Sequence, residues 1–318
     1  MNKNKTILIT GASGFIGSNL ARRLVKDGHK VCALLREGSD TWRIKDILPD
    51  INIIHADLID SNSIKTATKN LDVGGVFHLA VSTIQSGITA SDEEVIKTNL
   101  LGTVNLINAF SESDYGFFVN TGSFLEYGPK EKPVKESDIC DPQELYSITK
   151  LATAKFGQVK ARENNKPIIT FRFFTPYGPF VQPGRLIYEV ISRALKNEKI
   201  ELTGPSVTRD FIFVDDIVDL YIEAMDKARE HSGEIFNAGS GKAVSIKELV
   251  EYVLKTTKSK SELFWGERKV LAYDSDLWQA DMNKTHASFA WRPKHTLEQG
   301  IEKTINWIKE IIKIYEKK

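Results

Sequence analysis

The sequence predicts an α/β fold, in which a doubly wound parallel sheet is joined to a smaller C-terminal lobe. Two observations carry this prediction. Short apolar runs rich in Ile, Val, Leu and Phe alternate with longer helical patterns in the first half of the 318-residue chain, as expected for strands buried on both faces and joined by helical crossovers. After residue 175 the alternation weakens, and the Pro/Gly-rich segment PYGPFVQPG (176–184) begins a region of different rhythm.

The first region contains six predicted strands. They are TILIT (6–10), KVCALL (30–35), NIIHA (52–56), GVFHLA (75–80), GFFVNTGS (116–123) and IITFRFF (168–174). Between the first two lies the helical pattern FIGSNLARRLVKDG (15–28). It ends in a glycine, which suits the left-handed conformation after a helix.

The second region begins with a predicted helix, RLIYEVISRALKNEK, and continues with a strand and helix over 209–228 and a further strand in GEIFNAGS. Residues 239–292 show no clear alternation and are assigned to the smaller lobe. The last segment, IEKTINWIKEIIKIYEKK, carries an apolar stripe at helical spacing. We expect this helix to dock on the domain rather than on a membrane surface.

The composition excludes several classes of partner. Lys and Arg number 43 against 42 Asp and Glu, so the net charge of +1 gives no overall basic field for nucleic acid or anionic lipid. Cys32 and Cys140 are far apart, and we expect neither a disulfide framework nor a metal site. No apolar run approaches the roughly 20 residues of a membrane span, and the N-terminus leads directly into a strand without a signal-peptide pattern. We expect a soluble cytoplasmic protein.

A glycine-rich loop follows the first strand. In ILITGASGFIGSNL, Gly11 permits the tight turn, Gly14 lets the backbone approach a pyrophosphate, and Gly17 lets helix and strand pack closely. The helix N-terminus then points its N–H groups at the phosphates, whereas an ordinary turn is the alternative. The predicted cofactor contacts of this loop are Gly11, Ser13, Gly14, Phe15, Ile16 and Gly17. We therefore assign residues 1–175 to a Rossmann-like NAD(P)-binding domain, with sheet additions from about 209–238, and residues 176–318 mainly to a substrate-binding lobe and terminal helix.

The GxxGxxG spacing resembles that of the short-chain dehydrogenase/reductase superfamily. Together with the later motifs it is similar to the extended branch, which includes nucleotide-sugar epimerases, dehydratases and ketoreductases. The resemblance covers nearly the whole chain. Its segments are TGASGFIG, HADLID, HLA, TNLLGTVNLI, TGSFLEYG, YSITK, FRFFTPYGP, RDFIFVDDIVD and WRPKHTLEQGI.

A tyrosine and a lysine lie four residues apart in YSITK. In a helix Tyr146 and Lys150 share one face, and the ammonium is expected to favour the phenolate, so that the tyrosine exchanges a proton with a sugar oxygen. The resemblance implies that Ser123, Tyr146 and Lys150 form the catalytic set, that Lys150 also holds the nicotinamide ribose, and that Asn99 supports them. The alternative is a chance pair on a solvated helix.

The end of the second strand bears on the choice of cofactor. NAD-preferring relatives usually place an acid there, whereas this chain has Arg36, followed by Glu37 and Ser39. A guanidinium suits a 2′-phosphate, so NADP(H) is the preferred cofactor, with Arg36 and Ser39 as predicted contacts. NAD(H) stays possible, with Arg36 stacking on adenine. The resemblance implies further cofactor contacts from Asp57 and Leu58 in HADLID and from Leu79 and Ala80 in HLA.

The choice of reaction rests on departures from family patterns. Phe124 and Leu125 follow Ser123 where 4,6-dehydratases of this family carry an acidic pair, so dehydration is disfavoured. Thr175 stands where many epimerases have an asparagine. The favoured hypothesis is an NADP(H)-dependent ketoreductase with Tyr146 as proton donor. An NAD-dependent nucleotide-sugar 4-epimerase remains the alternative, and a non-catalytic dinucleotide-sensing module is a contrasting one.

The expected substrate is a nucleotide-diphosphate-linked keto sugar, with Thr175, Tyr177 and Arg209 as its contacts. By resemblance Arg209 grips the diphosphate, because a planar guanidinium pairs well with phosphate oxygens; a salt bridge to Asp210 or Asp215 is the alternative. Relatives often form dimers through helices beside the active-site tyrosine, so a homodimer is expected.

Overall fold

The large sheet contains seven parallel strands. The computed structural model describes residues 4–82, 90–267 and 275–316, with side chains to residue 312. The strands in sequence are β1 (Thr6–Thr10), β2 (Lys30–Leu35), β3 (Asn52–His55), β4 (Val73–His78), β5 (Phe117–Ser123), β6 (Ile168–Phe173), β7 (Thr175–Tyr177), β8 (Ile200–Leu202), β9 (Thr208–Phe213), β10 (Ile235–Ala238), β11 (Ala243–Ser245), β12 (Leu263–Trp265) and β13 (Leu277–Trp278). The order in the large sheet is β10-β6-β5-β4-β1-β2-β3. Strand order therefore reverses between β1 and β4, where open α/β sheets bind ligands.

The six predicted strands of the first region are all present, and their ends fall within two residues of the predicted ones. All six residues of β4 and all six of β6 are buried. This pattern explains why their sequences read as continuous apolar runs rather than alternating ones.

Helices cover both faces of this sheet. The helices of the chain are α1 (Phe15–Lys26), α2 (Ser61–Thr68), α3 (Asp92–Val95), α4 (Gly102–Ala109), α5 (Leu145–Asn164), α6 (Leu186–Lys196), α7 (Val214–Lys227), α8 (Ile246–Thr257), α9 (Asn283–Ser288) and α10 (Leu297–Glu316). A 3₁₀ segment spans Trp42–Asp50, and a π-helical turn, Ile96–Leu101, joins α3 to α4. Helices α1 and α7 pack on one face of the sheet, and α2, α4 and α5 pack on the other.

The C-terminal lobe has its own sheet and its own apolar core. Strand β9 pairs with β7, β11 and β13, while β8 pairs with β12. Helices α6, α8 and α10 pack on these strands through a cluster that includes Ile191, Leu249, Val253 and Ile305. The docking predicted for the last helix is confirmed, because Ile301, Ile305 and Ile308 are buried in this cluster. In the described part of the chain, no helix is long and apolar enough to cross a membrane.

Two features of the second region differ from the sequence-based expectations. Of the segment 209–238, only β10 joins the large sheet, because β9 pairs within the lobe. The region 239–292 contains the regular helix α8. Its start carries a reciprocal capping box between Ser245 and Glu248, and its buried residues Ile246, Leu249, Val250 and Val253 follow helical spacing. The signal for this helix was therefore present in the sequence.

Candidate active site

The carboxyl ends of β1, β4 and β5 converge at the point where strand order reverses. The glycine loop follows β1, Leu79 and Ala80 follow β4, and Ser123 ends β5. Helix α5 runs beside them and contributes Tyr146 and Lys150. The topology thus brings the predicted cofactor loop and the predicted catalytic residues to one edge of the sheet.

The glycine loop leaves no room for side chains. Gly11 has a φ of +72°, and a Cβ there would lie 2.6 Å from the backbone of Leu79 and of Ala80. A Cβ on Gly17 would lie 2.1 Å from the carbonyl oxygen of Gly11. Gly14 is the N-cap of α1 and provides no side-chain cap, so the first N–H groups of this helix face the loop. These features fit the pyrophosphate of a dinucleotide.

Two oppositely charged residues, Arg36 and Glu37, follow the end of β2. Arg36, one residue beyond the strand, is exposed, and the hydroxyl of Ser39 donates to its carbonyl oxygen at 2.7 Å. The Glu37 carboxylate lies 3.7 Å from Nδ1 of His55 at the end of β3. Asp57 and Leu58 follow β3; the Asp57 carboxylate accepts from the Ile59 N–H at 3.1 Å, and Leu58 is buried.

Ser123, Tyr146 and Lys150 lie together. The Lys150 ammonium donates to the carbonyl oxygen of Thr121 at 2.7 Å and lies 5.8 Å from the centre of the Tyr146 ring. The Ser123 hydroxyl is close enough to the Tyr146 hydroxyl to lower its pKa. The N-terminus of α5 is held by Glu144, whose carboxylate accepts from the backbone N–H of Tyr146 at 2.8 Å. The three residues predicted to form the catalytic set are therefore neighbours.

Burial dominates the electrostatics of this group. It raises the pKa of Tyr146 to about 12, and the main opposing influences are the Arg185 guanidinium and the Ser123 hydroxyl. Burial also lowers the pKa of Lys150 to about 8, against an opposing effect of Glu126. Lys150 is not among the main groups that lower the pKa of Tyr146, so the expectation that it makes the phenol acidic is not met.

Two buried polar residues support the strand ends. His78 is 1% exposed, and its ring bonds to the hydroxyls of Thr10 at 2.7 Å and Thr103 at 2.8 Å. Burial lowers the pKa of His78 to about 3, so its ring is neutral at pH 7. Asn99, in the π-helical turn, donates from its amide to the carbonyl oxygen of Ser82 and to the Thr149 hydroxyl. The polar atoms of both side chains are thus bonded to groups of the neighbouring strand ends and helices.

The residues after Ser123 form an apolar wall. The Phe124 ring lies 5.4 Å from the ring of Phe174 and 4.7 Å from that of Trp278. Leu125 follows it and is partly buried. The positions that are acidic in 4,6-dehydratases are therefore occupied by hydrocarbon side chains, which can neither donate nor accept a proton.

The predicted substrate contacts of the lobe are dispersed. Tyr177 is 2% exposed and its hydroxyl donates to the carbonyl oxygen of Leu297 at 3.3 Å, so its ring belongs to the lobe core. The prediction that Tyr177 contacts the substrate is therefore corrected. The Thr175 hydroxyl oxygen is buried without a hydrogen-bond partner in the described residues.

Arg209 is partly buried on β9. Its Nη1 donates to the carbonyl oxygens of Thr208 at 2.7 Å and Ser275 at 2.9 Å. The neighbouring Asp210 carboxylate is occupied by Ser240, Gly241 and Ala280, from which it accepts hydrogen bonds. Asp215 lies 3.6 Å from the Lys303 ammonium.

Fold and site together define a dinucleotide-binding enzyme of the extended short-chain dehydrogenase/reductase type. The model of the NAD dependent epimerase/dehydratase family matches residues 7–239. The chain belongs to this family.

Similar proteins act on nucleotide sugars, according to their names. A UDP-N-acetyl-alpha-D-glucosaminuronate decarboxylase of Bacillus cytotoxicus is 30% identical over 326 residues, covering 96% of this chain and 98% of its own. The CDP-abequose synthase of Salmonella muenchen is 24% identical over 307 residues, covering 96% and 99%. The solved structure of MoeE5 in complex with UDP-glucose and NAD has a TM-score of 0.84 and 27% identity, covering 96% of this chain and 99% of that one.

Proposed function

We propose that this protein uses NADPH to reduce the keto group of a nucleotide-diphosphate-linked deoxysugar, with Tyr146 as proton donor. One observation carries the proposal. In the protein alone, burial raises the pKa of Tyr146 to about 12, which favours the protonated phenol. Reduction of a ketone needs a proton donor, whereas an epimerase begins by removing a hydroxyl proton and needs a phenolate.

The residues of the site divide the work of reduction. NADPH, when bound, supplies the hydride. The Ser123 hydroxyl, close to that of Tyr146, orients the substrate oxygen, and Tyr146 then gives its proton to that oxygen. The resulting phenolate is stabilised by Arg185, whose guanidinium already favours the ionised form. Lys150 donates to the carbonyl oxygen of Thr121 and is proposed to hold the nicotinamide ribose.

The choice of NADPH rests on the end of β2. Arg36 is exposed there, and the carboxylate of Glu37 lies beside His55. A guanidinium attracts the 2′-phosphate of NADP(H) and pairs with it in bidentate geometry. The glycine loop and the contacts expected from Ser13, Asp57, Leu79 and Ala80 would hold the rest of either dinucleotide.

Two residues of the lobe are proposed as substrate contacts, since Tyr177 belongs to the lobe core. The orphaned Thr175 hydroxyl and the Arg209 guanidinium are proposed to bind the substrate, with Arg209 on the diphosphate. A homodimer is proposed through α5 and the α3–α4 segment, because Ile96, Leu101 and Ile148 are 43%, 42% and 49% exposed. A cytoplasmic location stays a prediction from the sequence.

A 4-epimerase is the second candidate, favoured by the 26% identity over 324 residues to a UDP-glucuronate 4-epimerase of Thermodesulfobacterium geofontis. Such an enzyme retains its cofactor and interconverts two sugars without net oxidation. It would need Tyr146 to ionise once NAD is bound.

The test measures NADPH and NADH oxidation with nucleotide-linked 4-keto-6-deoxy sugars. We expect turnover with NADPH, and in Arg36→Ala a loss of kcat/KM for NADPH of about tenfold or more, with NADH little changed. Arg162→Ala, an exposed arginine at the last turn of α5, is the matched control. Interconversion of UDP-hexoses without keto-sugar reduction would establish the epimerase instead.

A further inference from the structure

A fully buried ion pair lies directly behind the catalytic set. The Glu126 carboxylate accepts from Nε of Arg172 at 2.7 Å, and both side chains are at most 1% exposed. The Arg172 guanidinium also lies 4.5 Å from the centre of the Tyr127 ring and 3.2 Å from the sulfur of Cys140. A buried pair is costly to form and is weak evidence for stability by itself. A contribution to stability therefore does not explain why this ion pair lies beside the catalytic residues.

The same carboxylate holds the backbone of Ser123. The other oxygen of Glu126 accepts from the Ser123 N–H at 2.8 Å, and the Ser123 hydroxyl accepts from Leu125 N–H at 3.2 Å. These reciprocal contacts form a capping box on the 3₁₀ turn Phe124–Tyr127. Glutamates of capping boxes commonly face solvent, as Glu248 does on α8. Here the glutamate is fully buried and paired with a guanidinium.

Glu126 also carries a negative charge toward the proton-transfer residues. It interacts electrostatically with Lys150, favouring the ammonium, and with Tyr146, favouring the neutral phenol. The Glu126 carboxylate packs tightly against β5, since a Cβ on Gly122 would lie 2.6 Å from Oε1 of Glu126. The titratable or charged groups that interact with Glu126 are Tyr127, Cys140, Tyr146, Lys150 and Arg172.

We propose that Glu126, anchored by Arg172, is a positioning residue of this active site: its carboxylate fixes the Ser123 N–H, two residues along β5 from the Thr121 carbonyl that holds the Lys150 ammonium at 2.7 Å. Arg172 holds the carboxylate in place from β6. Since a protonated Lys150 is what binds the nicotinamide ribose in the proposed function, this inference rests on that function. A lysine buried without Glu126 would lose its proton more readily.

The experiment follows the protonation of Lys150 without any substrate. Wild-type protein and variants react with trace acetic anhydride across a pH series, and acetylation of the Lys150 peptide is quantified by mass spectrometry. Glu126→Gln keeps an oxygen for the Ser123 N–H but removes the charge. We expect the midpoint of Lys150 acetylation to fall by about half a pH unit or more. The matched control is Glu136→Gln. The Glu136 carboxylate also accepts a hydrogen bond from a backbone N–H, in this case the N–H of Asn237.

A second variant keeps the test decisive if Glu126→Gln, with Arg172 unpaired, does not fold. The double variant Glu126→Gln with Arg172→Met removes both charges, and its midpoint should also lie below that of the wild type. A folded variant with the wild-type midpoint overturns the proposal. A lowered midpoint in a protein that reduces no keto sugar leaves this inference standing and refutes the proposed function.

Discussion

The candidate site has one half on the large sheet and one half on the lobe, and different features of the chain place the residues of each half. In the large-sheet half, the glycine loop, Ser123, Tyr146 and Lys150 lie together at one sheet edge. In the lobe half, Tyr177 is a core residue and Arg209 is bonded to the backbone of Thr208 and Ser275. Residues fixed by backbone geometry meet at the site, whereas residues placed by side-chain packing need not.

This difference has a physical origin. A glycine loop works through its backbone, and residues four apart on a helix share a face whatever surrounds them. The lobe strand β7 buries its third residue, Tyr177, against Phe213 and the start of α10. The direction of that side chain depends on a partner more than one hundred positions away, which no local pattern reveals.

The largest effect is expected for Tyr146→Phe. The phenylalanine cannot donate a proton, so kcat should fall about 10²–10⁴-fold, while cofactor affinity stays within about twofold. Steady-state kinetics and NADPH fluorescence titration measure the two quantities. Tyr252→Phe, which removes a hydroxyl that bonds to Glu302 on the lobe surface, is the control. Retention of kcat in Tyr146→Phe would show that Tyr146 is not the proton donor.

Gly17→Ala tests the cofactor loop. Its Cβ would lie 2.1 Å from the carbonyl oxygen of Gly11, so the loop must open and lose its phosphate geometry. We expect the Kd for NADPH to rise about 100-fold, equivalent to about 2.7 kcal/mol. Gly204→Ala is the control, because the nearest atom to its Cβ would be 3.7 Å away. Unchanged affinity in Gly17→Ala would place the dinucleotide elsewhere.

Arg209→Ala tests the lobe half. Loss of a charge-assisted hydrogen bond to phosphate should raise KM for the nucleotide sugar about tenfold and leave kcat within about twofold. Arg193→Ala, an arginine of α6 paired with Glu189, serves as the comparison. If KM stays at the wild-type value, Arg209 has only the structural role of joining β9 to Ser275.

The smallest catalytic effect is expected for Tyr177→Phe. Because the ring is buried in the lobe core, KM and kcat should stay within about twofold. The free energy of unfolding should fall by about 1 kcal/mol, since the hydroxyl no longer donates to the carbonyl oxygen of Leu297. Urea denaturation measures this loss. A rise of KM with unchanged stability would return Tyr177 to the substrate site.

Sequence reasoning predicted the local features of the backbone correctly. The strands of the large sheet, the phosphate loop and the Tyr146–Lys150 pair follow from periodicity and spacing. The protonation of that pair was not predictable, because the pKa of Tyr146 depends on burial and on Arg185, which comes from the segment before α6. The pairing of Glu126 with Arg172 was equally hidden, since it joins the turn after β5 to the interior of β6.

The connectivity of the two sheets has a consequence for biosynthesis. Strand β10, which completes the edge of the large sheet beside β6, follows the lobe strand β9 in the chain. Asn237 of β10 also accepts the buried hydroxyl of Tyr127 at 2.6 Å. A nascent chain that has left the ribosome only to residue 175 therefore has an unpaired edge on β6, and this edge stays open to wrong pairing until β10 emerges.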